Sequence, residues 1–327
     1  MKNNKIQIVR AILALFVVAI HTLPDNHNIR IVVRPFLNIS VAAFIFLSGY
    51  LTKLEIDTKQ FYKKRLLTVL LPYLIFTVAY SAPAMLSSTV VDATKVLCKN
   101  LITSSAKMHL YYLVVYAELV LLTPLLVKIA KQKKRLFDIA IMSIQPLFIL
   151  CVYLGAINHD IFKISPWYVI VFPAWMAYYY FGLLVGNRYK NIKASYKTLL
   201  LLFFVGAALQ ISEGFVWRQL TPMKDLCISQ LRITALIQNI PGLLLITKFI
   251  RSKKETRNKL LEKIGDASFG IYLLHPAFIM VCDKIIARNE VTFLVSFVFA
   301  TAGSFITVLV LNKFVPKKLL KYCGLSN

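Results

Sequence analysis

Acidic residues are scarce in this chain. Asp and Glu together number 14 against 39 Lys and Arg, for a formal net charge of +25. In a soluble protein such an excess would suggest nucleic acid. Here no basic helix or arm stands apart from the apolar segments, and no zinc or Gly-rich recognition motif is present, so nucleic acid is not an expected partner. The five cysteines (Cys98, Cys151, Cys227, Cys282, Cys323) are scattered, with no CxxC pair or His-rich tract. That excludes a disulfide framework and gives no metal site. They read as small apolar packing residues. Solenoid-type repeats and an inverted repeat are also missing. The first apolar segment lacks a small-residue cleavage site, because TLPDNHNIR follows it. It is kept as a span rather than a signal peptide, despite Lys2 and Lys5.

What remains is apolar. The 327 residues are 58% hydrophobic, with a mean hydropathy of +0.67. Long apolar stretches recur throughout, the signature of an all-α polytopic membrane protein. Ten spans are expected, near 6–23, 36–52, 66–86, 109–127, 136–156, 166–186, 196–212, 229–249, 267–286 and 291–312. Assigning the basic residues to the connections places 28 of them on one side and 11 on the other. The positive-inside rule then puts both termini in the cytoplasm. The surplus charge reads as a topology signal and a contact for anionic membrane lipids. No soluble domain is expected at either end, so 1–327 reads as one transmembrane domain, with its chemistry inside the bundle.

Few polar residues interrupt these spans. Arg10 and His21 lie eleven residues apart in the first, which is three turns plus about 20°, so they share a face about 16 Å apart along the axis. A lone Arg in hydrocarbon is costly and marks a water-filled or protein-lined cavity. The blander reading is snorkelling to the headgroups. In FIFLSGYL, Ser48 and Gly49 would let a neighbouring backbone approach closely. In FYKKRLLTVLLPY, Lys63 and Lys64 read as positive-inside anchors, while Arg65 abuts the apolar run and could grip a phosphate with its fork. His109, Tyr111 and Tyr112 suit an interfacial aromatic belt. Glu118 lies about nine residues into the fourth span. A buried carboxylate there needs a partner, and Arg10 or His21 is the natural one. In IGDASFGIYLLHP, Tyr272 and His275 share a face at i and i+3, and Pro276 should free a carbonyl.

These pieces, in this order and over essentially the whole chain, resemble the acyltransferase 3 family of integral-membrane O-acyltransferases, in its shorter branch without a fused soluble domain. WMAYYYFGLLVG (Trp175–Gly186) is also similar to that family's Gly-containing sixth helix. The resemblance implies transfer of an acyl group, most often acetyl, from cytoplasmic acyl-CoA to a hydroxyl of an extracytoplasmic or lipid-linked glycan. It also implies a multi-pass location in a bacterial cytoplasmic membrane. The family's helix 1 Arg and His map onto Arg10 and His21, with His21 the expected general base. Two positions depart from the pattern. Ala42 stands where many members carry an acidic residue, and Thr68 replaces the second arginine of RxxR. Donor contacts therefore rest on Arg65, with Lys64 and Ser48 at the same mouth.

A sugar hydroxyl needs a base to attack a thioester, and His is the natural one near neutral pH. Arg10, Tyr272 and Ser268 are candidate donors to the oxyanion; His275 joins His21, Arg10 and Tyr272 as a candidate catalytic residue, with His109 and Glu118 as further cavity residues. No Ser or Cys sits beside a His at elbow-like spacing, which favours direct transfer over an acyl-enzyme. No metal is needed. The rival reading is a transporter or exporter of a polysaccharide or small polar substrate, since buried Arg, His and Glu also suit a proton-coupled carrier.

Overall fold

The computed structural model describes residues 3–158, 167–220 and 225–326. Among these the protein is 81% helical with no strand. The helices are α1 (Asn4–Thr22), α2 (His27–Tyr50), α3 (Thr58–Leu86), α4 (Val90–Thr103), α5 (Tyr111–Lys131), α6 (Arg135–Asn158), α7 (Met176–Asn187), α8 (Tyr196–Leu220), α9 (Ile233–Arg251), α10 (Lys259–Asp266), α11 (Ser268–Ile285), α12 (Phe293–Phe314) and α13 (Lys317–Tyr322). Nine helical segments among the described residues are long and apolar enough to cross a membrane.

The expected sixth span, 166–186, is not one of them. Its first residue lies outside the described residues. The remainder forms two 3-10 turns, Trp167–Val169 and Phe172–Ala174, followed by the 12-residue α7. Pro173 has no N–H to offer a continuous helix, so the segment turns before α7 begins. The second span also starts earlier than hydropathy suggests. Asn26 accepts hydrogen bonds from the N–H groups of Asn28 and Ile29 (3.0 and 3.3 Å), which nucleates α2 at His27. Arg30 and Arg34 consequently lie on a helix rather than in a connection.

Small residues set the tightest contact. A Cβ on Gly49 would lie 2.0 Å from the Tyr179 carbonyl oxygen, one on Gly182 2.1 Å from that of Phe46, and one on Gly186 2.2 Å from that of Tyr50. The close approach expected at Gly49 is therefore present, and its partner is α7. A second such contact lies at Gly265, where a Cβ would meet the Gln7 carbonyl oxygen at 2.0 Å. It presses the end of α10 against the first turns of α1. Near the C-terminus Leu325 packs beside Gly270, and its carbonyl accepts from Asn312 (2.7 Å).

Irregular backbone also enters the bundle at 226–232. Arg232 is fully buried and donates to the carbonyls of Gln210 (2.7 Å), Ser229 (3.1 Å) and Cys227 (3.2 Å), and to Gln210 Oε1 (2.9 Å). Non-helical backbone at such depth is tolerated where protein satisfies it or where it lines a cavity. Segment 226–232 meets both conditions. Outward faces of α8 and α12 expose Leu201, Phe204, Leu294 and Val298, as lipid contact requires.

Gly182→Ala tests the α2–α7 packing. The new methyl would force two backbones apart, an overpacking cost of about 1–3 kcal/mol. We expect a lowered melting temperature in detergent. An unchanged melting temperature would show that the helices can separate freely.

Candidate active site

A cavity of about 710 Å³ runs beside α1, lined by that helix from Asn3 and Gln7 through Arg10 to Ile20 and His21. At 1.5 Å per residue this spans roughly 27 Å, close to the thickness of a bilayer core. Arg10 and His21 both line this cavity, which accords with the cavity reading of the pair rather than the blander one of snorkelling to the headgroups.

At the Arg10 end the wall also includes Ser48, Arg65, Thr68, Tyr116 and Ser268. Arg65 Nη1 donates to the Tyr116 hydroxyl at 3.3 Å. Lys64 lies one 100° step around α3 from Arg65, is exposed, and takes no part in the wall. Thr68, where the RxxR pattern would place an arginine, turns its hydroxyl back onto the carbonyls of Lys64 (3.0 Å) and Arg65 (2.9 Å). Ser48 does the same to Phe44 (3.0 Å). Ser268 is buried, and its hydroxyl has no protein partner.

The acidic residue acting on Arg10 is Asp266, not Glu118. Asp266 attracts it electrostatically, and Arg10 Nη1 also donates to Gln7 Oε1 at 3.3 Å. The close seat of Gly265 on α1 brings this carboxylate into place. Glu118 is half-buried and turns elsewhere. Its Oε2 accepts from the Phe172 N–H at 2.6 Å, tying α5 to the 3-10 turn ahead of Trp175. Depth in the span was a true reading, but the free N–H of a buried turn supplied the partner.

At the other end three histidines meet. Ring centroids are 5.2 Å apart for His21 and His275, 5.3 Å for His109 and His275, and 6.4 Å for His21 and His109. His21 and His109 line the cavity, while His275 stands fully buried behind them. His275 Nδ1 lies 3.1 Å from the Ile271 carbonyl oxygen. A carbonyl only accepts, so Nδ1 carries the proton and Nε2 a lone pair. That Nε2, like His109 Nε2, is buried without a protein partner. His109 therefore belongs to the interior rather than to an interfacial belt. The Tyr272 hydroxyl donates to the His109 carbonyl, which ties α11 to the turn ahead of α5, and the Tyr80 hydroxyl donates to that of Leu273 (2.7 Å), which ties α3 to α11. Arg288 fixes the far end of α1 by donating to the His21 carbonyl at 2.8 Å. Among the described residues, no group of His, Cys, Asp and Glu is arranged to hold a metal ion.

The sequence reading did not find Arg30, Arg34, Asp225 and Gln230, which all line the His21 end. Arg30, Arg34 and Asp225 sit in what hydropathy marks as connections, where charge carries no signal, and Gln230 sits at the very start of an expected span. Asp266 was visible in IGDASFG, but nothing there tied it to Arg10.

An acyltransferase domain profile matches residues 3–313, nearly the whole chain. The chain belongs to the acyltransferase 3 family. It is a membrane acyltransferase by that membership. Neither curated proteins nor solved structures gave a match.

Glu118→Gln separates the two roles this carboxylate could have. Weakening a charge-assisted hydrogen bond costs about 1 kcal/mol. We expect a lower melting temperature with turnover per folded molecule nearly unchanged. Loss of turnover at constant stability would return Glu118 to the chemistry.

Proposed function

We propose that this protein is an O-acyltransferase that takes an acyl group, acetyl in the simplest case, from acyl-CoA at the Arg10 end of its cavity. It passes the group to a hydroxyl of a cell-surface or lipid-linked glycan at the His21 end. The supporting observation is one cavity with Arg10 and Arg65 at one end and an imidazole cluster at the other.

The residues fit such a donor. Arg10 and Arg65 offer planar forks for phosphate oxygens. The cavity volume falls in the range of small-molecule sites, and the unpartnered Ser268 hydroxyl offers a donor along the way. With the coenzyme's phosphates held there, its extended arm would present the thioester to His21, while the nucleotide stays at the basic end. That end faces the cytoplasm by the distribution of Lys and Arg.

In the chemical step His21 takes the proton of the acceptor hydroxyl as its oxygen attacks the thioester carbonyl. The tetrahedral oxyanion collapses with cleavage of the C–S bond, and the thiolate leaves and takes up the proton. The products are a glycan ester and the free thiol. His275 has its proton fixed on Nδ1 and its lone pair unpaired, next to His21, so it stands as a second base or a relay. Tyr272 spends its hydroxyl on the His109 carbonyl, which suits orientation of that histidine better than donation to the oxyanion.

The test is transfer of radiolabelled acetyl from acetyl-CoA to membrane glycolipid by purified protein in vesicles. Wild-type protein should acylate the lipid, and His21→Ala should lower the rate by about 10²–10⁴-fold, the usual share of a general base. A protein that moved glycan across the vesicle without modifying it would instead be a carrier.

A further inference from the structure

The cavity holds cations at both ends, and the donor accounts for one end only. Arg10 and Arg65 lie where the coenzyme phosphates would sit. Arg30 and Arg34, on α2, line the cavity at the His21 end. They share a face of α2 at i and i+4, yet they differ. Arg30 is occupied, with Nη1 on Asp25 Oδ1 (2.8 Å) and Nε on the Pro24 carbonyl (2.8 Å). Arg34 has one long bond from Nη1 to the Ile228 carbonyl (3.4 Å), and its buried Nε has no protein partner. Asp225, on the same wall, attracts it through space.

Beside Arg34 the wall suits a sugar ring. Tyr111 stacks on Trp175 with centroids 6.1 Å apart and planes at 25°. Trp175 is in turn fixed by its Nε1, which donates to the Val169 carbonyl at 2.8 Å. Tyr111 thus presents a rigid aromatic face, on which the C–H face of a pyranose can pack. Gln230 reaches the Tyr111 hydroxyl at 3.5 Å, and its Oε1 has no protein partner. It is free to accept from a sugar hydroxyl. Arg34 acts electrostatically on His21 as well, so this corner adjoins the imidazole cluster.

We propose that this corner is the acceptor subsite and that it selects an acidic sugar. The ring would carry a carboxylate or phosphate gripped by Arg34, and would rest on Tyr111 with a hydroxyl turned to His21. The identification of this ligand as the acceptor rests on the acyl-transfer reading. The binding itself does not.

Protein in nanodiscs is titrated with methyl β-glucuronide, glucose 6-phosphate and the neutral methyl β-glucoside, with binding followed by saturation-transfer NMR. The two acidic probes should bind at least tenfold more tightly than the neutral one. That preference should vanish in Arg34→Gln and persist in Arg30→Gln and Arg10→Gln. Equal affinities in wild-type protein would overturn the proposal without need of any variant. So would a preference that survives Arg34→Gln or disappears with Arg10. Selectivity for only one of the two anions, lost with Arg34, would support the subsite and identify the acidic group. Because no acyl transfer is measured, these outcomes are independent of whether the protein proves to be an acyltransferase.

Discussion

Arg10 and His21 are fixed on one face of one helix by their spacing, and neither can face hydrocarbon cheaply. The bundle must therefore close around α1 on that face without filling it. The close packing elsewhere serves this requirement. Gly49, Gly182 and Gly186 let α2 and α7 touch backbone to backbone, which leaves the opposite face of α2, with Phe44, Leu47 and Ser48, to form a cavity wall. Gly265 seats α10 on α1 and delivers Asp266 to Arg10. Where the bundle is tightest, it is so in order to hold an open column beside α1.

The two ends of that column are built by different means. The Arg10 end uses side chains on regular helices, so its cations are held by α1 and α3. The His21 end uses irregular backbone: the 3-10 turn bearing His109, the turns ahead of Trp175 and the segment leading into α9. Each of these is pinned by a buried polar group, respectively Tyr272, Glu118 and Arg232. Pinning matters because a general base must be within hydrogen-bond reach of its substrate, and loops hold such distances only when their backbone groups are satisfied.

Much of this was legible in the sequence. The helical class, nine of the ten spans, the shared face of Arg10 and His21, the close approach at Gly49 and the adjacency of Tyr272 and His275 follow from period and hydropathy, and the motifs supplied the family. What could not be read is tertiary. Pro173 interrupts a span of sufficient apolar length. Asn26 extends α2 outward, past where its apolar run begins, and so moves Arg30 and Arg34 into the structure. The partner of Glu118 is a backbone N–H, which no side-chain pattern announces. The third histidine of the cluster, His109, reads from the sequence as an interfacial aromatic and a further cavity candidate, but its contacts with His21 and His275 join residues distant in sequence and could not be read.

The central claim is that donor and acceptor meet through one cavity from opposite faces of the membrane. The most direct test uses sealed vesicles of known orientation, with radiolabelled acetyl-CoA confined to one face. The account predicts incorporation only when acetyl-CoA is on the Arg10 face, with the new ester cleaved by a membrane-impermeant esterase added to the His21 face. An ester accessible only on the face that received the acetyl-CoA would contradict it.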